Sequence, residues 1–310
     1  MKRSAFLQQQ GVECDFTGSD SWVILSPIEQ SIKRKIESLG TPLKDWDINI
    51  YRGVLTGYNE AFIISTEKRD EILAKCSTEE ERTRTAELIR PILRGRDIKR
   101  YGYDWAEKYL IATFPSRHYD IEQYPTVKQY LLSFGKERLE QTGKTYNIDG
   151  EKVKTRKKTN NKWFETQDSI SYWEDFNKPK IIWKRIGSNL RFSYDLKGYF
   201  GLDSTCFATG QHMAYLCCIL NSIMGHYMFK DSPKTGTGDL LVSVQAIEPI
   251  KIPLKKEIEK QFNNLLIEVL EQDSKKAEKE INRLAFKLYD LSLEEAVYIT
   301  NFVTQSQQSQ

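Results

Sequence analysis

The stretch Ile89-Arg-Pro-Ile-Leu-Arg-Gly-Arg-Asp-Ile-Lys-Arg-Tyr101 constrains this chain more than any other. Its apolar members Ile89, Ile92, Leu93, Ile98 and Tyr101 need a core to anchor in. Arg90, Arg94, Arg96, Lys99 and Arg100 need solvent or anions, and Gly95 supplies a turn among them. Such a segment is a structural post with a cationic collar. The arginine fork donates in pairs and never loses its charge, which suits phosphate, although a cationic run judged on composition alone is more often a solvated face. A chain of 310 residues leaves room for one large domain or two ordinary ones around it.

The surrounding pattern predicts a mixed fold. Residues 50–64 read as a strand, a turn at Thr56-Gly57-Tyr58-Asn59 and a second strand, a hairpin. Ser26-Pro27 opens a helix with Ile28, Ile32, Ile36 and Leu39 at helical spacing and Gly40 as its stop. Residues 66–93 read as mostly helical, with Ser77 and Glu80 as a capping box and Pro91 ending or kinking the helix. A strand at 108–114 and a helix at 121–139 follow. The runs 180–186, 190–194 and 199–209 are short, β-rich and separated by glycines, as in a twisted antiparallel sheet. Residues 213–229 are apolar enough for one buried helix. Beyond Lys255, stripes through Ile258, Phe262, Leu265, Leu266 and Val269 and through Ala277, Ile281, Leu284 and Leu288 predict two amphipathic helices. Ser274 starts the second, and Ser292 with Glu295 caps a last one. The first 25 residues have no clear period, and the Gln/Ser tail after Thr304 is expected to fray.

Several function classes drop out. No apolar run approaches the ~20 residues of a membrane span, and the start lacks the apolar core of a secretory signal, so a cytoplasmic location is expected. Five cysteines without a C-x-x-C pair and three scattered histidines predict reduced core thiols and no metal site. A net charge of +3 is too mild to demand nucleic acid, so distribution decides. Residues 143–161 are polar and strongly cationic and lead into Trp163-Phe164 and Tyr172-Trp173, the mix that base-stacking surfaces use and that a mobile loop beside core aromatics also produces. Pro233-Lys-Thr-Gly-Thr-Gly-Asp239 is glycine-rich but has neither P-loop nor dinucleotide spacing.

Two motifs in order narrow the choice. G-x-x-T-G-x-N-x-A-F-I-I from Gly53 to Ile64, followed by I-R-P-I-L-R-G-R-D-I-K-R-Y from Ile89 to Tyr101, resembles the opening of the TaqI-like C-terminal specificity domain. Lys178-Pro-Lys-Ile-Ile182, Ile219-Leu-Asn-Ser-Ile223, Pro249-Ile-Lys-Ile-Pro253 and Lys287-Leu-Tyr-Asp-Leu-Ser-Leu-Glu-Glu295 continue it in the family's order. That family supplies the DNA target-recognition part of single-chain adenine methyltransferases and fused restriction-modification enzymes. The resemblance implies an α/β (α+β) fold: a twisted, mostly antiparallel recognition sheet followed by a helical C-terminal region. The expected organisation is an extension at 1–46, a recognition domain at 47–253, a helical region at 254–303 and a tail at 304–310.

The F-x-G-x-G and N-P-P-Y/F motifs of the family's methyltransferase cores are missing, as is E-x-K of a common nuclease centre, and Asp97 with Lys99 reads as a salt bridge or phosphate contact rather than a D-x-K pair. The chain is therefore expected to be non-catalytic, with S-adenosylmethionine bound only by an associated methyltransferase domain or subunit. Phosphate contacts are expected from Arg52, Arg94, Arg96, Lys99, Lys154, Arg156, Lys157, Lys158 and Lys162. Base reading is expected from loops carrying Thr56, Gly57, Asn59, Trp163, Trp173, Lys184, Arg185, Asn189, Lys234 and Thr235, although an isolated Asn more often satisfies its own turn. Two other readings stay open: a small enzyme using the Gly236 loop as a phosphate cradle, and a protein-interaction module built on the C-terminal helices.

Overall fold

The computed structural model describes residues 25–148 and 150–308. The aperiodic start and the last two residues of the tail lie outside them. Two four-stranded sheets organise the protein, built from β1 (Ile48–Arg52), β2 (Ile63–Ser65), β3 (Ile89–Leu93), β4 (Lys108–Ile111), β5 (Lys180–Lys184), β6 (Phe192–Asp195), β7 (Phe200–Gly201) and β8 (Thr205–Gly210). The central sheet has the order β6-β5-β8-β1 and is antiparallel throughout. The second has the order β7-β3-β4-β2, with β7 parallel to β3 and the other pairs antiparallel. The fold is mixed α/β with antiparallel sheets and C-terminal helices, as the sequence predicts.

Residue alternation divides the central sheet between two cores. Ile181, Trp183, Cys206 and Ala208 face a helical layer, and their in-between neighbours Ile182 and Phe207 face the second sheet. The register Cys206↔Trp183 and Ala208↔Ile181 keeps each set on one side. The sheets are joined where the chain leaves β1. The Gly53 N–H donates to Thr205 O (2.9 Å) and the Val54 N–H to Gly201 O (2.7 Å). A Cβ at Gly53 would lie 2.0 Å from the Leu202 carbonyl oxygen, so only glycine lets the two backbones cross.

The helical layer contains α1 (Pro27–Leu39), α2 (Met213–Asn221), α3 (Ile223–Met228), α4 (Lys256–Gln272), α5 (Lys275–Leu288) and α6 (Leu293–Gln308). One apolar cluster runs from Ile32 and Leu43 through the sheet to Phe262, Ile281, Ile299 and Val303, across the positions 46/47 and 253/254 where the sequence suggests boundaries. Glu295 pins α6 to α1. It accepts from Ser31 Oγ, Lys35 Nζ and the Ser292 N–H, each at 2.7 Å. Burial raises its carboxyl, but these donors outweigh burial and hold it at about 2. A carboxylate lowered from its ordinary 4.5 stabilises the fold above that value and loses its contribution as pH falls through about 2. Glu295→Gln should therefore flatten the acid limb of the melting temperature between those values, and superimposable limbs for the two proteins would refute this role.

Several local readings change. Residues 89–93 are a strand rather than the end of a helix: the preceding helix stops at Leu88, and Ile89 and Arg90 pair with Ile111 and Leu110. Thr78, not Ser77, caps that helix, its side chain accepting from the Glu81 N–H at 3.1 Å. The Thr56–Asn59 turn does not close a hairpin, because β1 and β2 belong to different sheets and a short helix, Asn59–Phe62, lies between them. The region 121–139 divides into a 3-10 turn and helices Pro125–Leu132 and Lys136–Leu139. The run 213–229 breaks at Ser222, which caps α3, and α6 continues to Gln308 through most of the expected tail.

Candidate nucleic-acid interface

Antiparallel pairing gathers cations at one end of the central sheet. Because Cys206 opposes Arg52, Thr205 opposes Lys184 and Trp183 opposes Phe192, the end of β1, the start of β8, the end of β5 and the start of β6 lie together. Arg52, Lys184, Arg185 and Arg191 therefore share that end. The Gly95 turn docks there too: its N–H donates to Ser204 Oγ (3.0 Å), whose own carbonyl accepts from the Arg185 N–H (2.9 Å). A Cβ at Gly95 would meet Lys184 Cγ at 3.0 Å, so the turn packs against the Lys184 side chain, and the residue after the glycine, Arg96, is exposed. Arg52 lies 3.8 Å from the Asp203 carboxylate, a loose pair that leaves the guanidinium partly free. Burial raises the Asp168 carboxyl, and Arg52 and Lys157 each offset part of that rise.

That loop is a built structure. Residues Thr145–Ile148 and Glu151–Lys154 pair as an antiparallel ribbon, and the segment after it is held by buried bonds. The Gln141 amide donates to the Lys162 and Glu165 carbonyls (3.2 and 3.1 Å) and accepts from Thr159 Oγ1 (2.8 Å). Exposed Lys154, Lys157 and Lys158 then line a groove of about 550 Å³ with Gly57, Tyr58 and Arg138. Arg138 donates to the Tyr58 hydroxyl at 3.2 Å, and among the described residues the charged groups lining the groove are cationic, with Glu151 and Glu60 acting on Arg138 from nearby. Lys162 is also exposed, its ammonium 5.6 Å above the Phe164 ring.

A third group sits on a small ribbon where Leu240 and Leu241 pair with Gly187 and Ile186. The Val242 N–H donates to the Arg185 carbonyl (2.8 Å), which ties this ribbon to the sheet end. Exposed Asn189 and Lys234 are both on it, Lys234 bridging to Leu240. Thr235 is spent within its own loop, its N–H on Asp239 O (2.8 Å) and its hydroxyl on Thr237 (2.8 Å). The Asp239 carboxylate accepts from the Thr237 hydroxyl in the same loop (3.2 Å), and a carboxylate within this loop disfavours a phosphate cradle at Gly236.

Other expected contacts are engaged elsewhere. Arg156 is only 4% exposed, and its guanidinium donates to the carbonyls of Leu139, Thr56, Glu165 and Trp163. It is a structural hub: four of its five N–H donors are spent on backbone carbonyls, although it also lines the groove. Arg94 forms a two-pronged pair with buried Asp97 (2.9 and 2.7 Å), which raises the arginine's affinity for its proton and shapes the Gly95 turn. Asp97 is thereby taken up as an ion pair, and Lys99 pairs with Asp104 at 3.2 Å. Thr56 is fully buried and its hydroxyl is 2.7 Å from Asn59 Oδ1, so these two satisfy the turn. Trp163 is half-buried with its carbonyl on Arg156. Trp173 lines a separate cleft under the Arg117 guanidinium.

Sequence reasoning missed Arg138 and Arg191. The only signal for either is a cation beside a polar loop, which many surface residues share.

The family model described as the TaqI-like C-terminal specificity domain matches residues 90–253, more than half of the chain. No curated protein matches significantly. Among solved structures, the type IIL restriction-modification enzyme MmeI, determined in complex with DNA, is similar over 87% of this chain with a TM-score of 0.55 at 8% identity. The type IIG restriction endonuclease BpuSI is similar over 85% with a TM-score of 0.45 at 12% identity. The chain spans only 36% and 33% of those enzymes.

Proposed function

We propose, from the premise that this chain belongs to the TaqI-like C-terminal specificity domain family, that it binds double-stranded DNA sequence-specifically as the target-recognition part of an adenine-methylating restriction-modification enzyme. In this reading residues 47–253 meet the DNA and the helices from 254 to 303 buttress them. Methyl transfer and its S-adenosylmethionine belong to a methyltransferase domain or subunit that works with this one.

The observation that carries the reading is the gathering of Arg52, Lys184 and Arg185 at one end of the central sheet, where the Arg96-bearing turn docks, together with the cationic groove of Lys154, Lys157 and Lys158. Phosphates would be gripped by the groove lysines and Arg96, and base edges met by Lys184, Arg185 and Asn189 on the loops between strands. A selection from randomised duplexes tests it directly: one sequence should be enriched, and its binding should weaken steeply with salt. Lys154→Ala/Lys157→Ala/Lys158→Ala should weaken selected and random duplexes alike and make the log–log salt slope shallower by about 2–3, at about 0.9 per lost phosphate contact. A pool that emerges unenriched would end the proposal, and an unchanged slope would remove the groove from it.

A further inference from the structure

On the second sheet, a cleft of about 390 Å³ stands apart from these cations. Its size falls within the roughly 300–1,000 Å³ of small-ligand pockets. Arg84, Arg90 and Arg117 line it together with Tyr119, Tyr124 and Trp173. The Arg117 guanidinium lies over the Trp173 ring at 3.9 Å, and Tyr119 meets Tyr124 edge to face at 5.8 Å. Arg90 is aimed by Asn177 Oδ1 (2.8 Å) and lies over Phe200 (5.4 Å), and Arg84 is steadied by the Gln123 carbonyl (3.3 Å).

The charge in this cleft is only partly compensated: Arg84 acts on the Glu80 and Glu81 carboxylates without pairing directly with either. Among the described residues none of the three guanidinia has a carboxylate within ion-pair distance, and Glu87 is the only acid on the wall. The Nε atoms of Arg84 and Arg90 are buried without a hydrogen-bond partner. The same holds for the Nε atoms of Arg52, Arg69, Arg100 and Arg185, so what sets the cleft apart is three guanidinia without an ion pair on one wall. Guanidinia beside flat aromatic walls match one ligand chemistry well: a planar ring that stacks, joined to an anion that accepts paired N–H bonds.

We propose that this cleft is a second binding site, for a nucleoside 5′-monophosphate unit, with the base against Trp173 and Tyr119 and the phosphate on Arg84, Arg90 and Arg117. The unit can be a free nucleotide or the unpaired end of a DNA strand. Neither source requires the duplex-binding reading above, so each can fail without the other.

Calorimetric titration of the full chain tests this with four probes: deoxyadenosine 5′-monophosphate, deoxyadenosine, inorganic phosphate and a 5′-phosphorylated single-stranded tetranucleotide. Saturable binding of the monophosphate, at least tenfold tighter than of the nucleoside or phosphate alone, is expected. Tighter binding of the tetranucleotide than of the mononucleotide would identify a strand end as the source, and the reverse a free nucleotide. Arg84→Gln/Arg117→Gln should weaken the nucleotide at least tenfold and leave blunt-duplex affinity unchanged. Lys154→Ala/Lys157→Ala/Lys158→Ala should leave nucleotide binding unchanged. Because Arg84 is half-buried, Arg117→Glu at an exposed position serves as the second variant, with melting temperature as the folding control. The proposal is overturned if no probe carrying a base and a phosphate saturates, if phosphate alone binds as tightly, or if nucleotide binding survives these arginine substitutions.

Discussion

Arg156→Ala should destabilise the protein by about 3–5 kcal/mol, because four carbonyl oxygens lose a charged donor at once and each buried orphan costs about 1–3 kcal/mol before water refills the outermost. The guanidinium Nε reaches Leu139 O at 2.8 Å, Nη1 reaches Thr56 O at 2.8 Å and Glu165 O at 2.7 Å, and Nη2 reaches Trp163 O at 2.6 Å. Burial pulls this arginine down to about 10, against the raising influence of Glu140 and Glu165, so the protein keeps a charge where charge is unfavourable in order to hold four segments together. Arg156→Lys should recover only part of the loss, since one ammonium cannot fork toward carbonyls on opposite sides. Exposed Lys157→Ala should shift stability by no more than about 0.5 kcal/mol. Urea denaturation of the three variants measures all of this. An Arg156→Ala protein as stable as Lys157→Ala would show that the loop holds itself.

At the other end of the central sheet, Asp195→Ala should cost a similar amount, about 3–5 kcal/mol, by stranding a buried ammonium. Lys180 and Asp195 face each other across β5 and β6, both fully buried and in direct contact. The lysine has only one further acceptor, Phe176 O at 2.6 Å. The aspartate has three further donors: the Tyr103 hydroxyl (2.9 Å) and the N–H groups of Lys197 (2.9 Å) and Tyr199 (3.0 Å). Lys180→Met should therefore be the milder single change, and the double variant should cost less than the sum of the two. The Asp195→Ala protein should also regain stability as pH rises toward 10.5. Burial already lowers the Lys180 ammonium, so without its partner the folded state binds the proton less tightly than the unfolded chain does. Equal single-variant costs that simply add would mean that the pair contributes no coupling.

The amino-acid order alone determined what local chemistry can determine. Ser26, Ser274, and Ser292 with Glu295 begin the helices they were expected to begin, because a hydroxyl three residues from a free N–H needs no tertiary partner. The stripe from Phe262 to Val269 was legible from its period, and the runs 180–186 and 199–209 from their β-rich composition, although the second run holds two strands, Phe200–Gly201 and Thr205–Gly210. The family was legible in the order of its motifs.

Tertiary structure decided what depended on distant neighbours. Ile89–Leu93 carries apolar residues at a spacing that suits either period, and becomes a strand because Lys108–Ile111 and Phe200–Gly201 lie on its two sides. Arg156 and Lys157 are adjacent cations that no composition distinguishes. One is buried because carbonyls from positions 56, 139, 163 and 165 converge on it, and the other is left in solvent. Arg94 and Arg96 divide in the same way: Asp97 takes the first, and the second is left exposed on the Gly95 turn. A side chain's charge is written in the sequence, but whether that charge is free to meet a phosphate depends on which acceptors the fold brings within about 3 Å of it.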